Sequence, residues 1–314
     1  MTWRTTSMAL LLTMTTLLVA GCGGGPRHED GLVHVVCSTG IVADMVTRVG
    51  GDRVHVTALM GPGLDPHQYK ASAGDVERLN DADLIAFNGL HLEAKLGEVF
   101  KHLARRRPVM ALADSLPEGR LLSPPGYEQA HDPHVWFDVA LWAETAAPVA
   151  AMLAELDPDH AAAYRARAAA CRDELTALDA EVRARLAAIP EPGRVLITAH
   201  DAFNYFGRAY GLEVRGLQGI STLTEAGTGD MQSLAAYIAD RRLPAIFVEN
   251  SVPPRAIEAV RKAVHARGWD VALGGELYSD SLGDPDGPAG DYVGMVRHNL
   301  DTIATALGGE VPHE

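Results

Sequence analysis

Short β-branched runs alternate with amphipathic segments along the first half of the chain. Residues 33–37, 54–60, 84–87 and 109–113 read as strands, and residues 41–49, 73–80 and 92–105 as helices. Ser72 followed by Asp75 is an acidic capping box at the start of the second of these helices. The second half repeats the plan. Strands are expected at 195–199, 212–217, 245–248 and 271–273, with helices at 202–210, 230–241, 255–267 and 292–307. Between the halves, residues 159–189 hold no Gly or Pro. Tyr164, Ala168, Cys171, Leu175, Leu178, Val182, Leu186 and Ile189 recur there at spacings of three or four, which is one apolar face at helical period. Pro158 and Pro190 bracket a helix that would reach about 45 Å at about 1.5 Å per residue. Strands alternating with helices imply right-handed crossovers and parallel sheets. The expected fold is α/β: two lobes, each with a mainly parallel four-stranded sheet flanked by helices, joined by one long rigid helix. The expected boundaries are 32–157 for the first lobe, 158–190 for the helix and 191–314 for the second lobe. A rigid connector implies limited closure rather than a wide jaw.

The N-terminal pattern differs. Arg4 is the only charge in residues 1–21, and an apolar run interleaved with Thr ends Leu17-Leu18-Val19-Ala20-Gly21-Cys22. This reads as a signal peptide over residues 1–21 with a lipobox, so that Cys22 is the expected lipidation site. Residues 22–31, beginning with three glycines and a proline after Cys22, read as a tether. The body is expected to be exported and lipid-anchored, in a periplasm or on the outer face of the cytoplasmic membrane. No other stretch reads as long and apolar enough to span a bilayer.

Of the 314 residues, 47% are apolar, enough for a sizeable core. Against 27 Lys and Arg stand 41 Asp and Glu, a formal charge of -14. That excess repels nucleic acid and suits a protein that handles cations. Cys37 and Cys171 fall on apolar faces and read as small buried hydrophobes, with no demand for a disulfide.

In open α/β sheets ligands bind beyond the carboxyl ends of the strands. Four such loops carry metal-ligating residues: Asp65-Pro66-His67, Asp132-Pro133-His134, Thr198-Ala199-His200-Asp201 and Tyr278-Ser279-Asp280. The repeated Asp-Pro-His turn would orient one imidazole each time. Three imidazoles and a carboxylate suit a divalent cation, two donors coming from each lobe. His131 competes with His134, and Asp284 or Glu276 with Asp280. Asp138 and Asp201 are expected to cap helices, and Trp136 and Phe137 to floor the cleft. His91, His102, His160, His265, His298 and His313 are expected at the surface. His28, His34 and His55 lie near the first two strands without evident partners.

These motifs, with Gly216-Leu217-Gln218-Gly219-Ile220-Ser221 and Gly274-Gly275-Glu276-Leu277-Tyr278-Ser279-Asp280, carry a resemblance that covers nearly the whole chain after residue 22. The chain resembles the metal-binding lipoproteins of zinc and manganese ABC importers, the cluster A-I solute-binding proteins, and within them the TroA-like subgroup. The resemblance implies two α/β lobes linked by a long helix, with ligands at His67, His134, His200 and Asp280. It implies one Zn2+ or Mn2+ carried as cargo, a membrane permease with its ATPase as partner, and a monomer that is not an enzyme. The segment before His134 lacks the long His-rich loop of dedicated zinc binders, and His200 stands where dedicated manganese binders place Glu. The usual affinity order favours zinc, with manganese as an alternative cargo. Affinity is expected to fall as pH drops toward about 6, because the donors must be deprotonated. The rival readings are a zinc-dependent hydrolase, with Glu276 or Asp201 as base, and a surface adhesin.

Overall fold

The computed structural model describes residues 28–123 and 130–308. The signal segment, Cys22, His313 and most of the tether lie outside the described residues. In the first lobe, β1 (Val33–Cys37), α1 (Gly40–Gly50), β2 (Val54–Ala58), α2 (Ala73–Asp81), β3 (Leu84–Phe87), α3 (Gly97–Leu103) and β4 (Val109–Ala111) follow in order. The four strands form one parallel sheet of order β2-β1-β3-β4. Ser72 and Asp75 form the expected capping box of α2. The third helix is shorter than its apolar pattern suggests. Leu90 and His91 take left-handed backbone conformations, and the Glu93 carboxylate accepts from the Asn88 and Gly89 N–H groups at 2.8 and 3.2 Å, so the chain turns before it coils.

After this lobe come α4 (Val139–Trp142) and α5 (Ala146–Leu156), for which the sequence pattern predicts no element. Val139–Leu156 is also long and apolar enough to cross a membrane by length and composition, contrary to expectation, and half of it is buried inside the molecule. Its Ala-rich sequence packs flat on the long helix, and Leu153, Val149, Leu141 and Trp142 enter the core. Here the stretch serves as a core element.

The long helix α6 (Ala161–Leu186) has 26 residues, a rise of about 39 Å. Its expected stripe is the buried one: Tyr164, Ala168, Cys171, Leu175, Leu178, Val182 and Leu186. It packs on α1, α4 and α5 of the first lobe.

The second lobe contains β5 (Val195–His200), α7 (Asn204–Tyr210), β6 (Glu213–Gln218), α8 (Thr228–Arg241), β7 (Ala245–Glu249), α9 (Arg255–His265), β8 (Ala272–Leu277) and α10 (Tyr292–Ala306). Both α7 and α10 also pack on α6, and one apolar core runs through α6 into both lobes. The four expected strands are all present, as two parallel pairs, β5–β6 and β7–β8. Between the pairs a side chain does part of the ladder's work: the Glu249 carboxylate accepts from Ala199 N and His200 N at 2.7 and 2.9 Å. Strand β8 runs through Gly274 and Gly275, where the sequence suggested its end. A Cβ on Gly274 would stand 2.6 Å from the Phe247 ring, so glycine permits the close passage and the accompanying register shift.

Gly216 is the tightest point near the site. A Cβ there would lie 2.4 Å from the His200 carbonyl carbon and 2.5 Å from Asp201 N, both backbone atoms that cannot swing aside. Gly216→Ala is therefore expected to push β6 off β5 and cost about 3 kcal/mol, as overpacking typically does. Thermal unfolding of the metal-free protein measures it.

Cys37 and Cys171 are buried free thiols. Burial pushes both upward, Cys171 to about 11, which leaves them inert.

Candidate metal centre

The two Asp-Pro-His turns act alike. Asp65 Oδ1 accepts from His67 N at 2.9 Å, and Asp132 Oδ1 from His134 N at 3.0 Å. Each Asp folds the backbone over proline and sets the direction of the following histidine. His200 is the last residue of β5, delivered to the sheet's carboxyl end. Asp280 follows β8. Ser279 beside it is held by Asn250 Oδ1, which accepts from its N–H at 3.1 Å, and by the Ser251 hydroxyl at 2.8 Å. From the first lobe, the Trp136 indole N–H donates to the Ser279 carbonyl at 3.1 Å.

These loops bring His67, His134, His200 and Asp280 together, all buried, with one donor atom from each within 4.8 Å of the others. His67 Nε2 lies 3.4 Å from His134 Nε2 and 3.6 Å from Asp280 Oδ2. Asp280 Oδ1 is 3.4 Å from His134 Nε2, and Oδ2 is 3.3 Å from His200 Nε2. Two donors at about 2.0–2.2 Å from a tetrahedral centre stand about 3.3–3.6 Å apart, which is the spacing observed. Both Asp280 oxygens and His200 Nε2 are buried without a hydrogen-bond partner. Leaving such groups unpaired costs about 1–3 kcal/mol each, and a central cation would satisfy all three. The donor set fits a divalent ion.

Two of the imidazoles are oriented from behind. His134 Nδ1 meets Asp132 Oδ1 at 2.7 Å; Asp132 in turn accepts from the Asn204 amide at 3.0 Å, and its carbonyl from the Tyr205 hydroxyl at 3.0 Å. His200 Nδ1 meets Glu249 Oε2 at 2.6 Å. Such carboxylates fix the tautomer that presents Nε2 to a metal and raise the ring's basicity. Asp132 is visible in the sequence only as part of the Asp-Pro-His motif, and Glu249 is not among the expected site residues. Glu249 closes β7 at the sheet end where ligands gather, but nothing in its local sequence pairs it with His200. Glu249→Gln keeps the shape and removes the charge. It is expected to lower zinc affinity by about 10–100-fold, read by competition with a chromophoric chelator.

Charge differs sharply among the rings. Burial drives His67 down to about 3, and its two neighbouring imidazoles add to the effect against Asp280. Burial also opposes the charged form of His134, but Asp132 and Asp280 outweigh it and hold this ring up at about 9. His200 is raised well above its ordinary value by Glu249 and Asp280, again against burial. Asp280 is held well below the usual carboxylate range despite burial, chiefly by His200 and His134. Protons on His134 and His200 thus balance the acid until a metal takes their place, which sets the pH window higher than the ordinary imidazole value implied.

The competitors fall elsewhere. His131 is half-buried with Nδ1 3.0 Å from the Ser123 hydroxyl, and Glu276 and Asp284 are exposed. Asp138 caps α4 as expected. Asp201 does not cap a helix; its carboxylate accepts from Gly216 N at 2.6 Å, tying the His200 corner to β6. Trp136 stands edge-on to His134, whereas Phe137 stacks on Phe203 in the core, not on the cleft floor. His91, His102 and His265 are exposed, while His160 and His298 are half-buried. His28, His34 and His55 do have partners, namely one another.

The family model described as "Zinc-uptake complex component A periplasmic" matches residues 35–306. The chain is 50% identical over 305 residues to the "Zinc-binding protein TroA" of Treponema pallidum (strain Nichols), covering 97% of this chain and 98% of that relative. It is 41% identical over 302 residues to the "Manganese-binding lipoprotein MntA" of Bacillus subtilis (strain 168), covering 96% and 98%. The solved structure of the periplasmic zinc-binding protein TroA from Treponema pallidum superposes with a TM-score of 0.86 at 52% identity, covering 88% of this chain and 99% of that one. By this match, and by the two-lobed fold that accompanies it, the chain belongs to the zinc-uptake complex component A family, whose members are solute-binding transport proteins and not enzymes.

Proposed function

We propose that this protein captures one Zn2+, or alternatively Mn2+, between its lobes and delivers it to an ABC permease powered by a cytoplasmic ATPase. His67, His134, His200 and Asp280 hold the ion. The observation that carries this reading is the set of buried, unpartnered donor atoms of His200 and Asp280, spaced from His67 and His134 as ligands of a tetrahedral ion are. Zinc is the tighter cargo, because three imidazoles favour a borderline metal over one that prefers oxygen. The zinc- and manganese-binding relatives support both ions as candidates. Residues 1–21 direct export, Cys22 carries the lipid anchor, and residues 22–31 tether a monomeric body made of lobes 32–157 and 191–314 about the helix 158–190. The lipoprotein relative supports the anchor.

The test is elemental analysis of protein purified without added metal, followed by zinc titration. One tightly held ion per chain is expected, and it is absent from His67→Ala. Tight binding that survives this substitution would sink the assignment. A second measurement addresses cargo. His200→Glu, made together with Glu249→Gln so that two buried acids do not face each other, is expected to move the Zn/Mn affinity ratio toward manganese by about tenfold or more. An unchanged ratio in paired competition titrations would contradict the role given to the third imidazole.

A further inference from the structure

Three imidazoles and two carboxylates cluster at the opposite end of the first sheet, where the parallel strands begin. The β1–β2 register sets His34 beside His55, so both project from one face, and their rings stand 4.8 Å apart. His28, leading into β1, lays its ring flat on that of His34, with centroids 3.5 Å apart and planes 8° from parallel. Two carboxylates border the three rings. Asp30 Oδ2 is 2.8 Å from His34 Nε2. Asp83 Oδ2 is 3.6 Å from His28 Nε2 and is fixed by accepting from His34 N at 3.0 Å.

One atom in the group is unexplained. His28 Nε2 is shielded from solvent and has no hydrogen-bond partner. Its separation from Asp83 is too long for a hydrogen bond and equals the His67–Asp280 spacing of the interlobe centre. We propose that this strand-start cluster is a second zinc site, with His28 Nε2 and the Asp83 carboxylate as its first donors and His34 and His55 completing the set. Imidazole with carboxylate selects a borderline divalent cation over magnesium or calcium. The site is weaker than the interlobe centre for a geometric reason. Two parallel stacked rings cannot aim their in-plane lone pairs at one ion, so His34 must leave Asp30 and turn. Occupancy would pin the point where the chain enters the lobe to the edge of β1 and β2, making the attachment of the N-terminal segment responsive to zinc.

The experiment is zinc titration of protein carrying no affinity tag, with bound metal counted by elemental analysis after equilibrium dialysis. Two ions per chain are expected, the second at least about tenfold weaker than the first. The His28→Gln/His55→Gln variant should bind one ion, tightly. His67→Ala should also bind one, weakly, so loss of either site is read apart from the other. His55→Gln alone, at an exposed ring, should weaken only the second phase, by about tenfold or more as loss of a ligand does, with unchanged thermal unfolding of the metal-free protein. Saturation of the wild type at one ion, or a second phase that persists in the double variant, overturns the inference.

Discussion

Asp280→Asn is expected to lower zinc affinity by about two to three orders of magnitude while leaving the fold recognisable. Asp280 is the one acid in the donor set and lies against all three imidazoles, at 3.3 to 3.6 Å. With Asp132 behind His134 and Glu249 behind His200, it also helps to hold both rings in their raised state. Removing one partner of a buried ionic contact costs about 3–5 kcal/mol, and about 1.4 kcal/mol is a factor of ten in affinity. The amide keeps the volume, so repacking is a minor part of the change. Competition titration gives the affinity. Circular dichroism of the metal-free variant separates lost binding from lost structure. A variant that binds zinc within a factor of ten of the wild type would show that the acid is a bystander.

Zinc binding is expected to release close to two protons per ion at pH 7, with affinity still rising through pH 8. The sign follows from the rings. His134, held up at about 9, and His200, raised well above its ordinary value, carry protons at neutral pH that the metal must displace. His67, driven down to about 3, and Asp280, held low, contribute none. Affinity therefore gains close to two logarithmic units per pH unit around neutrality, and the His134 share of that slope is lost as pH rises through about 9. The metal-free fold responds in the opposite sense. Stability drawn from the raised His134 is complete below its ordinary value near 6.5 and is lost as pH rises through about 9. The depressed His67 acts the other way, withdrawing stability as pH falls from about 6.5 toward 3. Titration calorimetry in buffers of different ionisation enthalpy counts the protons. A count near zero would mean that His134 and His200 are already bare, and that their carboxylate partners do not act as described.

Much of this arrangement is legible in the sequence because its determinants are local. The stripe from Tyr164 to Leu186 is periodic, and its flanking prolines mark where the long helix can begin and end. The Asp-Pro-His turns are four-atom arguments about one carboxylate and the next N–H group. The His200 and Asp280 loops follow from strand ends. What escaped depends on partners distant in the chain. Glu249 acts on a histidine 49 residues away, and no local pattern announces that. Strand β8 outruns its apolar signal because Gly274 is demanded by the Phe247 ring, and Gly275 by its positive φ and the nearby Thr302 side chain, rather than by a turn. The helices between Val139 and Leu156 are nearly uniform in apolarity, so they lack the contrast between faces that betrays an amphipathic segment. The rings of His28, His34 and His55 meet through strand register and a chain reversal, neither of which is written in their spacing.

The buried face of α6 has a thermodynamic consequence. Because α1 and α5 on one side and α7 and α10 on the other pack on the same helix, whose seven buried residues belong to one apolar core with both lobes, unfolding either half strips the shared helix of part of its cover. An ion held where the halves meet therefore stabilises the molecule as a single cooperative unit. The free energy of capture is shared by every residue that must come apart for the chain to unfold.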